Sequence, residues 1–296
     1  MNNIDIDIDM IEGIYDITPD IIFNHFDLIY GSKKYVHIMT DTKEWTIPFR
    51  AENNVAYLGL YLVDMPKDVF DKLISFIFRK NRNIQKIYLK KSKNNYHNHI
   101  RQGNHFRVEL PETFDSLLAR LNKKGRYNYN REKRLLHELG NIEYLHCNTA
   151  DTLNDVISAF FNFKFQTHGR DYQMLPEEYV RTYFVSDAYS INLDGKIIAV
   201  LLSCEQCDCV FLENLSYDTE YCKYSVGFQI YVFFLQEMIK KGKKQVYTGG
   251  GYYDYKKRFN SVEDTTYDGY IYRTTLGKLQ SALVNRMRGI FHLNRN

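Results

Sequence analysis

Along this chain the apolar positions switch repeatedly between two spacings, every second residue and every third or fourth. Alternation marks a half-buried strand, and the longer spacing marks an amphipathic helix. Residues 4–9 alternate Ile and Asp, Lys34–Thr40 and Trp45–Arg50 are rich in Tyr, Val, Ile and Trp, and Val55–Val63 is a nearly continuous apolar run. All four predict strands, the last more deeply buried, with residues 4–9 fitting a frayed acidic tail equally well. Pro19–Tyr30 predicts a short helix, with Thr18 as its cap and proline at its first position. Pro66–Arg79 sets Val69, Phe70, Leu73, Ile74, Ile77 and Phe78 on one wide apolar face, a helical pattern. Further strands are predicted at Ile84–Lys90 and His105–Leu110.

From Leu110 to about Leu139 the period turns helical, with Phe114, Leu117, Leu118 and Leu121 as the apolar face and Gly125 as the place where the helix kinks or divides. Asn141–Cys147 predicts a strand. Asp151–Gln166 predicts a helix that turns Leu153, Val156, Ile157, Phe160, Phe161 and Phe165 inward. Thr167–Tyr172 is polar and predicts a loop, and Pro176–Phe184 a second short helix. Ala188–Leu193, Lys196–Cys204 and Cys209–Tyr217 predict an antiparallel meander, its first turn marked by Asp194-Gly195, the strongest hairpin signal in the chain. Gly227–Lys241 predicts a helix, and its run Phe228–Ile239, apolar nearly all round, should be buried against the sheet. Gln245–Thr248, a helical turn near Tyr252–Phe259, the strand Tyr267–Arg273 and a basic amphipathic helix Leu276–Phe291 complete the order. From residue 141 it reads β-α-α-β-β-β-α-β-α-β.

Composition narrows this picture only slightly. The 296 residues suffice for one large or two ordinary domains, and a net charge of +3 is too small to imply a polyanionic partner by itself. Local charge is another matter. From Arg120 to Glu138 seven Lys/Arg face two Glu, a stretch of +5. Such a run is a solvated helix face, a base-stacking surface through Tyr127 and Tyr129, or a cationic wall against a phosphorylated substrate. Five cysteines, odd in number and irregularly spaced, argue against a disulfide framework. Cys204, Cys207 and Cys209 lack a second Cys/His pair at a zinc spacing, so they predict a reduced hairpin turn and no metal site. No run reaches the ~18 apolar residues of a membrane span. The acidic start lacks the parts of a signal peptide. A soluble, cytoplasmic location is expected, as a monomer or homodimer.

The stretch Val210–Phe259 concentrates the chemistry. A strand runs through a short loop into a helix N-terminus, which offers backbone N–H groups and a positive dipole end to an anion. Glu213 lies mid-strand, where burial raises a carboxyl pKa and suits a general base. Alternation sets it on one face with Phe211 and Leu215, and Leu212 and Asn214 on the other. His168 is a second candidate base, on the predicted loop. Tyr253 and Tyr255 are candidate acids, and Lys256 is a cation for a phosphate or carboxylate.

Four motifs within this half, Asp194-Gly-Lys-Ile-Ile-Ala199, Tyr217-Asp-x-x-Tyr221, Tyr224-Ser-x-Gly227 and Gly249-Gly-Gly-x-x-x-Tyr-Lys256-x-x-Phe259, keep an order that resembles the GNAT acyltransferase superfamily. The likeness is greatest to its long, two-domain branch in polysaccharide and cell-envelope pathways, akin to the Fem-type aminoacyltransferases. The resemblance implies an α/β (α+β) fold of tandem GNAT-like domains, each a mixed central sheet flanked by helices. It divides the chain into a degenerate GNAT-like domain at 1–110, a basic connecting helix at 111–140 and the complete GNAT core at 141–296. It implies an acyl-CoA donor whose arm lies along Glu213–Tyr217, with Leu215 and Tyr217 at its sides, and whose pyrophosphate sits on Lys223, Ser225, Val226, Gly227 and Phe228. The sequence departs from the family pattern there, because the first loop glycine aligns with Ser225. The acceptor implied is a nucleotide-linked amino sugar for lipopolysaccharide, O-antigen or capsule, meeting Arg126, Arg131, Tyr255 and Lys256. No stable nucleic-acid partner is expected on this reading. Two alternatives stay open: an aminoacyl-tRNA-dependent peptidoglycan aminoacyltransferase, and a non-enzymatic binding module.

Overall fold

The computed structural model describes residues 6–12, 34–60, 65–93, 101–169, 174–183, 185–206, 209–250 and 254–274. The helices expected at Pro19–Tyr30 and Leu276–Phe291 lie outside them. The chain divides into two compact units, Met1–Gly103 with Thr265–Asn296, and Asn104–Asp264.

In the first unit the alternating stretches form β1 (Asp7–Glu12), β2 (Lys34–Met39), β3 (Glu44–Glu52) and β4 (Val55–Leu58), an antiparallel meander. Helix α1 (Lys67–Lys80) crosses over to β5 (Lys86–Ser92), which lies parallel to β4. Asp68 in its first turn and Arg79 and Lys80 in its last complement the helix dipole. Its face of Val69, Phe70, Leu73, Ile74, Phe76 and Ile77 packs on Val36, Ile38, Ile47, Phe49, Leu58 and Leu89. The last described strand of the chain, β12 (Val262–Tyr272), pairs antiparallel with β5 from Tyr267↔Ser92 to Tyr272↔Lys86. Arg273 pins its end by donating to the carbonyls of Phe78, Asn81 and Ile84 at 2.7 Å each.

The second unit begins within β6 (Arg101–Glu109). The helix expected from Leu110 to Leu139 is two, α2 (Phe114–Ala119) and α3 (Lys123–His137). The break falls at residues 120–122 and not at Gly125. Arg120 is the C-cap of the first helix, and Asn122 caps the second, its Oδ1 accepting the Gly125 N–H at 2.7 Å. β7 (Ile142–Cys147) leads to α4 (Ala150–His168), which opens on a Thr149/Thr152 capping box and closes on Gly169 at φ 59°. Thr167 and His168 therefore finish a helix; they are not in a loop. The helix turns Phe163 inward and leaves Phe165 60% exposed, the reverse of the expectation, because the inward stripe continues 153, 156, 157, 160, 163 at helical period. After α5 (Pro176–Tyr183) come β8 (Asp187–Leu193), β9 (Lys196–Gln206) and β10 (Cys209–Tyr217), all antiparallel. Asp194 and Gly195 have φ 50° and 82°, as a primed hairpin turn requires. Helix α6 (Val226–Lys240) crosses to β11 (Gln245–Gly249), parallel to β10, and β6 pairs antiparallel with β11. The short helix α7 (Asp254–Lys257) follows.

Each unit thus holds a six-stranded mixed sheet with the same directions: four antiparallel strands, a parallel fifth after a crossover helix, and an antiparallel sixth. In the second unit both faces are covered. One core gathers Leu117, Tyr129, Leu136 and the apolar side of α6; the other gathers Leu153, Ile157, Phe160 and Tyr179. Gln229, buried in the apolar α6, is satisfied: Tyr144 Oη donates to its Oε1 at 2.7 Å, and its Nε2 donates to the Tyr224 carbonyl at 2.8 Å.

Candidate active site

β10 and β11 run parallel only from Cys209↔Gln245 to Phe211↔Tyr247. Both strands are irregular at this level. β10 bulges between Leu212 and Asn214 in its pairing with β9, and β11 bulges between Tyr247 and Gly249 in its pairing with β6. A bulge bends its strand and increases its twist, so the two strands part. A cleft of about 730 Å³ opens between them, lined also by α4, the start of α6 and α7.

The bulge at Glu213 also changes which side chains share a face. Val210, Leu212, Leu215 and Tyr217 all join the α6 core. Asn214 turns to the α5 side, its Nδ2 donating to Tyr179 Oη at 3.0 Å. Strict alternation, which grouped Leu215 with Phe211 and Glu213 and set Leu212 against it, fails because the extra residue shifts the register by one.

Most of the residues singled out from the sequence meet in this cleft. Glu213, half-buried, and His168, exposed at the end of α4, both line it, as do Leu215, Tyr217, Ser225, Gly227, Phe228, Tyr255 and Lys256. Val226 is wholly buried in the core. Lys223 is exposed in the 3-10 turn Thr219–Tyr224, its Nζ 5.0 Å above the Tyr224 ring, and is not among the lining residues. Tyr253 lies outside the described residues. Arg126 and Arg131 are also outside the lining. Arg126 donates to the carbonyls of Ala119 and Leu121, closing α2, and Arg131 pairs with Glu132 at 3.4 Å. Of the two tyrosines on α3, Tyr129 is core, edge-on to Phe228, and Tyr127 is 64% exposed.

Lys256 is the cleft's most unusual group. It is 2% exposed, and burial pushes its ammonium down to about 8. Its Nζ donates to the carbonyls of Gly249, at 3.1 Å, and Gly250, at 2.6 Å, in the turn where β11 ends. Gly249 has φ 76°, which glycine adopts without strain. Gly227 is required for a different reason. A Cβ there would meet the Tyr217 ring at 2.7 Å, so the first turn of α6 is packed directly on that ring. Ser225, at φ 51°, reverses the chain just before α6 and leaves the helix start facing the cleft.

Sequence reasoning missed Lys164, Thr167, Asn214, Thr248 and Arg258, all in the lining. Lys164 Nζ donates to the Leu215 carbonyl at 3.4 Å. Nothing in the helical period of α4 distinguishes it from a surface lysine, whereas Arg258 was legible as the end of a Lys-Lys-Arg run. Among the described residues no group of His, Cys, Asp and Glu is arranged to hold a metal ion, and no helix is long and apolar enough to cross a membrane.

A mixed sheet that splays between its fourth and fifth strands, with a helix start at the mouth of the opening, matches GNAT-like folds. Residues 123–257 match the family described as Acetyltransferase (GNAT) domain. Solved structures agree in fold. FemX covers 79% of this chain with 87% of its own at 8% identity and a TM-score of 0.59. The C-terminal domain (DUF2156) of an Agrobacterium fabrum protein described as a lysylphosphatidylglycerol synthetase covers 80% with 83% of its own, at 10% identity and 0.54. L-PGS from Bacillus licheniformis covers 82% with 86%, at 12% identity and 0.52. No curated protein sequence matches the chain.

Proposed function

We propose that this acyltransferase moves an acyl group from acyl-CoA to a primary amine in the β10–β11 cleft. The observation that carries the reading is the parting of those strands beside the start of α6. A splayed strand offers unpaired backbone groups to an amide-containing donor arm, and an N–H for the oxyanion. Glu213, beside the reacting centre, takes the proton from the attacking amine. Lys256 supplies a buried positive charge for an anionic group of substrate or intermediate. The acceptor we favour is an amino sugar carried on a nucleotide, on the strength of the family resemblance.

A second reading has aminoacyl-tRNA as the donor. The fold likeness to FemX and to a domain described as a lysylphosphatidylglycerol synthetase favours it. The same cleft and the same two residues serve either donor.

Calorimetric titration with acetyl-CoA, followed by turnover with amino-sugar nucleotides, tests the first reading. Saturable micromolar binding is expected. Glu213→Gln is expected to bind donor like the wild type and to lose about a hundredfold or more in kcat, the usual range for a removed general base. No binding at millimolar acetyl-CoA, together with aminoacyl-tRNA turnover, overturns the CoA reading in favour of the second. Unchanged kcat in Glu213→Gln removes that residue from its role.

A further inference from the structure

Helix α6 carries a buried hydroxyl with nothing to bond to. Among the described residues four buried side-chain atoms have no hydrogen-bond partner, and Tyr231 Oη is one of them. Tyr231 is wholly buried, on the second turn of α6. Its ring stands edge-on to that of Tyr255, with centroids 5.0 Å apart and planes at 74°, and lies 6.1 Å from that of Phe259. Tyr255, on α7, is half-buried and lines the cleft. The orphaned hydroxyl thus belongs to the ring directly behind a candidate acid. A buried hydroxyl without a partner costs stability. The same helix satisfies both ends of its buried Gln229, so the orphan is not a general feature of its packing. Burial, and then the nearness of Tyr255, push the Tyr231 ionisation well above the ordinary tyrosine range, which keeps its proton in place.

Resting on the reading of the cleft as the site of acyl transfer, we infer that Tyr231 is a positioning residue whose hydroxyl donates to the Tyr255 oxygen once Tyr255 has given its proton to the leaving group. The lone pair of the acceptor amine forms the new C–N bond, and Glu213 takes the proton released from that nitrogen. The bond from the acyl carbon to the thioester sulfur, or to the ester oxygen of an aminoacyl donor, breaks, and its electron pair goes to the leaving atom. Tyr255 protonates that atom and becomes a phenolate; water then returns a proton to Tyr255, and Glu213 releases one. In the structure the Tyr231 hydroxyl donates to no described residue. Beside a phenolate it gains a charge-assisted bond in a dry place, where such bonds are strong. A donor satisfied only after charge has developed lowers the transition state and not the ground state, which is the condition for raising kcat. The pair serves a thioester and an ester donor alike. The other titratable side chains of the cleft are Lys164 and His168 on α4, Glu213 and Tyr217 on β10, Cys222 ahead of α6, and Lys256 and Arg258 after Tyr255. These line the opening, whereas Tyr231 meets Tyr255 from the core.

The test compares the full chain with Tyr231→Phe, Tyr255→Phe and the double variant, in turnover with whichever donor the wild type uses, acetyl-CoA or aminoacyl-tRNA. Tyr231→Phe removes one oxygen and keeps the ring, so it should melt no lower than the wild type. Its kcat should nevertheless fall by about tenfold to a hundredfold, the usual effect of a hydrogen bond to a charged group, with KM for the donor unchanged. The double variant should be no slower than Tyr255→Phe, because Tyr231 acts only through Tyr255. A second readout needs no turnover. In NMR of the chain labelled with carbon-13 at tyrosine Cζ, the Tyr255 resonance is the one lost in Tyr255→Phe. In Tyr231→Phe that resonance should titrate at higher pH, with Tyr255 at least about tenfold less acidic. Unchanged acidity of Tyr255 overturns the inference. So does wild-type kcat in Tyr231→Phe, a double variant whose losses multiply, or a Tyr231→Phe that melts lower, since the hydroxyl would then have a partner in the ground state. A wild type with no turnover on either donor removes the acyltransferase reading, and the acidity of Tyr255 in the two chains still decides whether the hydroxyl pair exists.

Discussion

At the scale of single residues, Lys256 sets a buried charge against stability. An ammonium placed in a dry site costs free energy because burial disfavours the charged form. Its pKa falls from 10.5 to about 8, so between those values the unfolded chain holds more protons than the folded one. Stability must therefore rise as pH climbs from about 8 towards 10.5, with the penalty fully present below 8. Two outcomes are expected. In thermal unfolding Lys256→Met melts higher than the wild type at pH 7, and the gap narrows at pH 10. In turnover the same variant is inactive, and wild-type activity, where it needs the charged form, falls as pH rises through about 8. A Met variant that melts lower at pH 7 would mean that the carbonyls of Gly249 and Gly250 offset the burial in full.

At the scale of elements, the contact of β10 with α6 decides how the mouth of the cleft is shaped. The family resemblance implies that Gly227 is a phosphate-loop glycine, and in the structure it lines the cleft. The space beside its Cα, however, is filled by the Tyr217 ring. Gly227→Ala is expected to destabilise by about 1–3 kcal/mol, the usual cost of overpacking. Gly227→Ala/Tyr217→Leu should recover most of it in urea unfolding, while two independent losses that simply add would place the glycine's importance elsewhere. Elements of this kind are largely legible. Periodicity and turns give the order from residue 141, and each element is present. What periodicity does not carry is irregularity. The bulge at Glu213, the break at residues 120–122 and the inward Phe163 each depend on a neighbour that local spacing cannot reveal: β9 for the first, a capping side chain for the second, the β-sheet face for the third. The gathering of Glu213, Tyr255 and Lys256 is legible because a strand, a helix start and a glycine turn imply one another. Lys164 and Thr167 reach the same cleft from a helix whose sequence gives no sign of it.

At the scale of the whole molecule, the two six-stranded sheets repeat one topology without a residue-level repeat in the sequence. The boundary drawn at residue 110 separates halves in the order of the chain, whereas β6 belongs with the second unit and β12, from Thr265, with the first. A fragment covering 104–264 should therefore unfold cooperatively in circular dichroism. A fragment covering 111–264 lacks the partner of β11 and should aggregate or melt without a transition. Equal, cooperative melting of both fragments would show that β6 adds nothing to the second sheet.

The place of β12 has a consequence for how the protein is made. Translation delivers the strands of the first sheet in order up to β5, and then nearly 170 residues pass before β12 leaves the ribosome, counted from Ser92 to Val262. Through that interval β5 stands as an unpaired edge, while the second unit, whose strands from β6 to β11 emerge without interruption, can close. The half with the β10–β11 cleft is thus the one able to mature on the ribosome, and the half that begins with β1 finishes last.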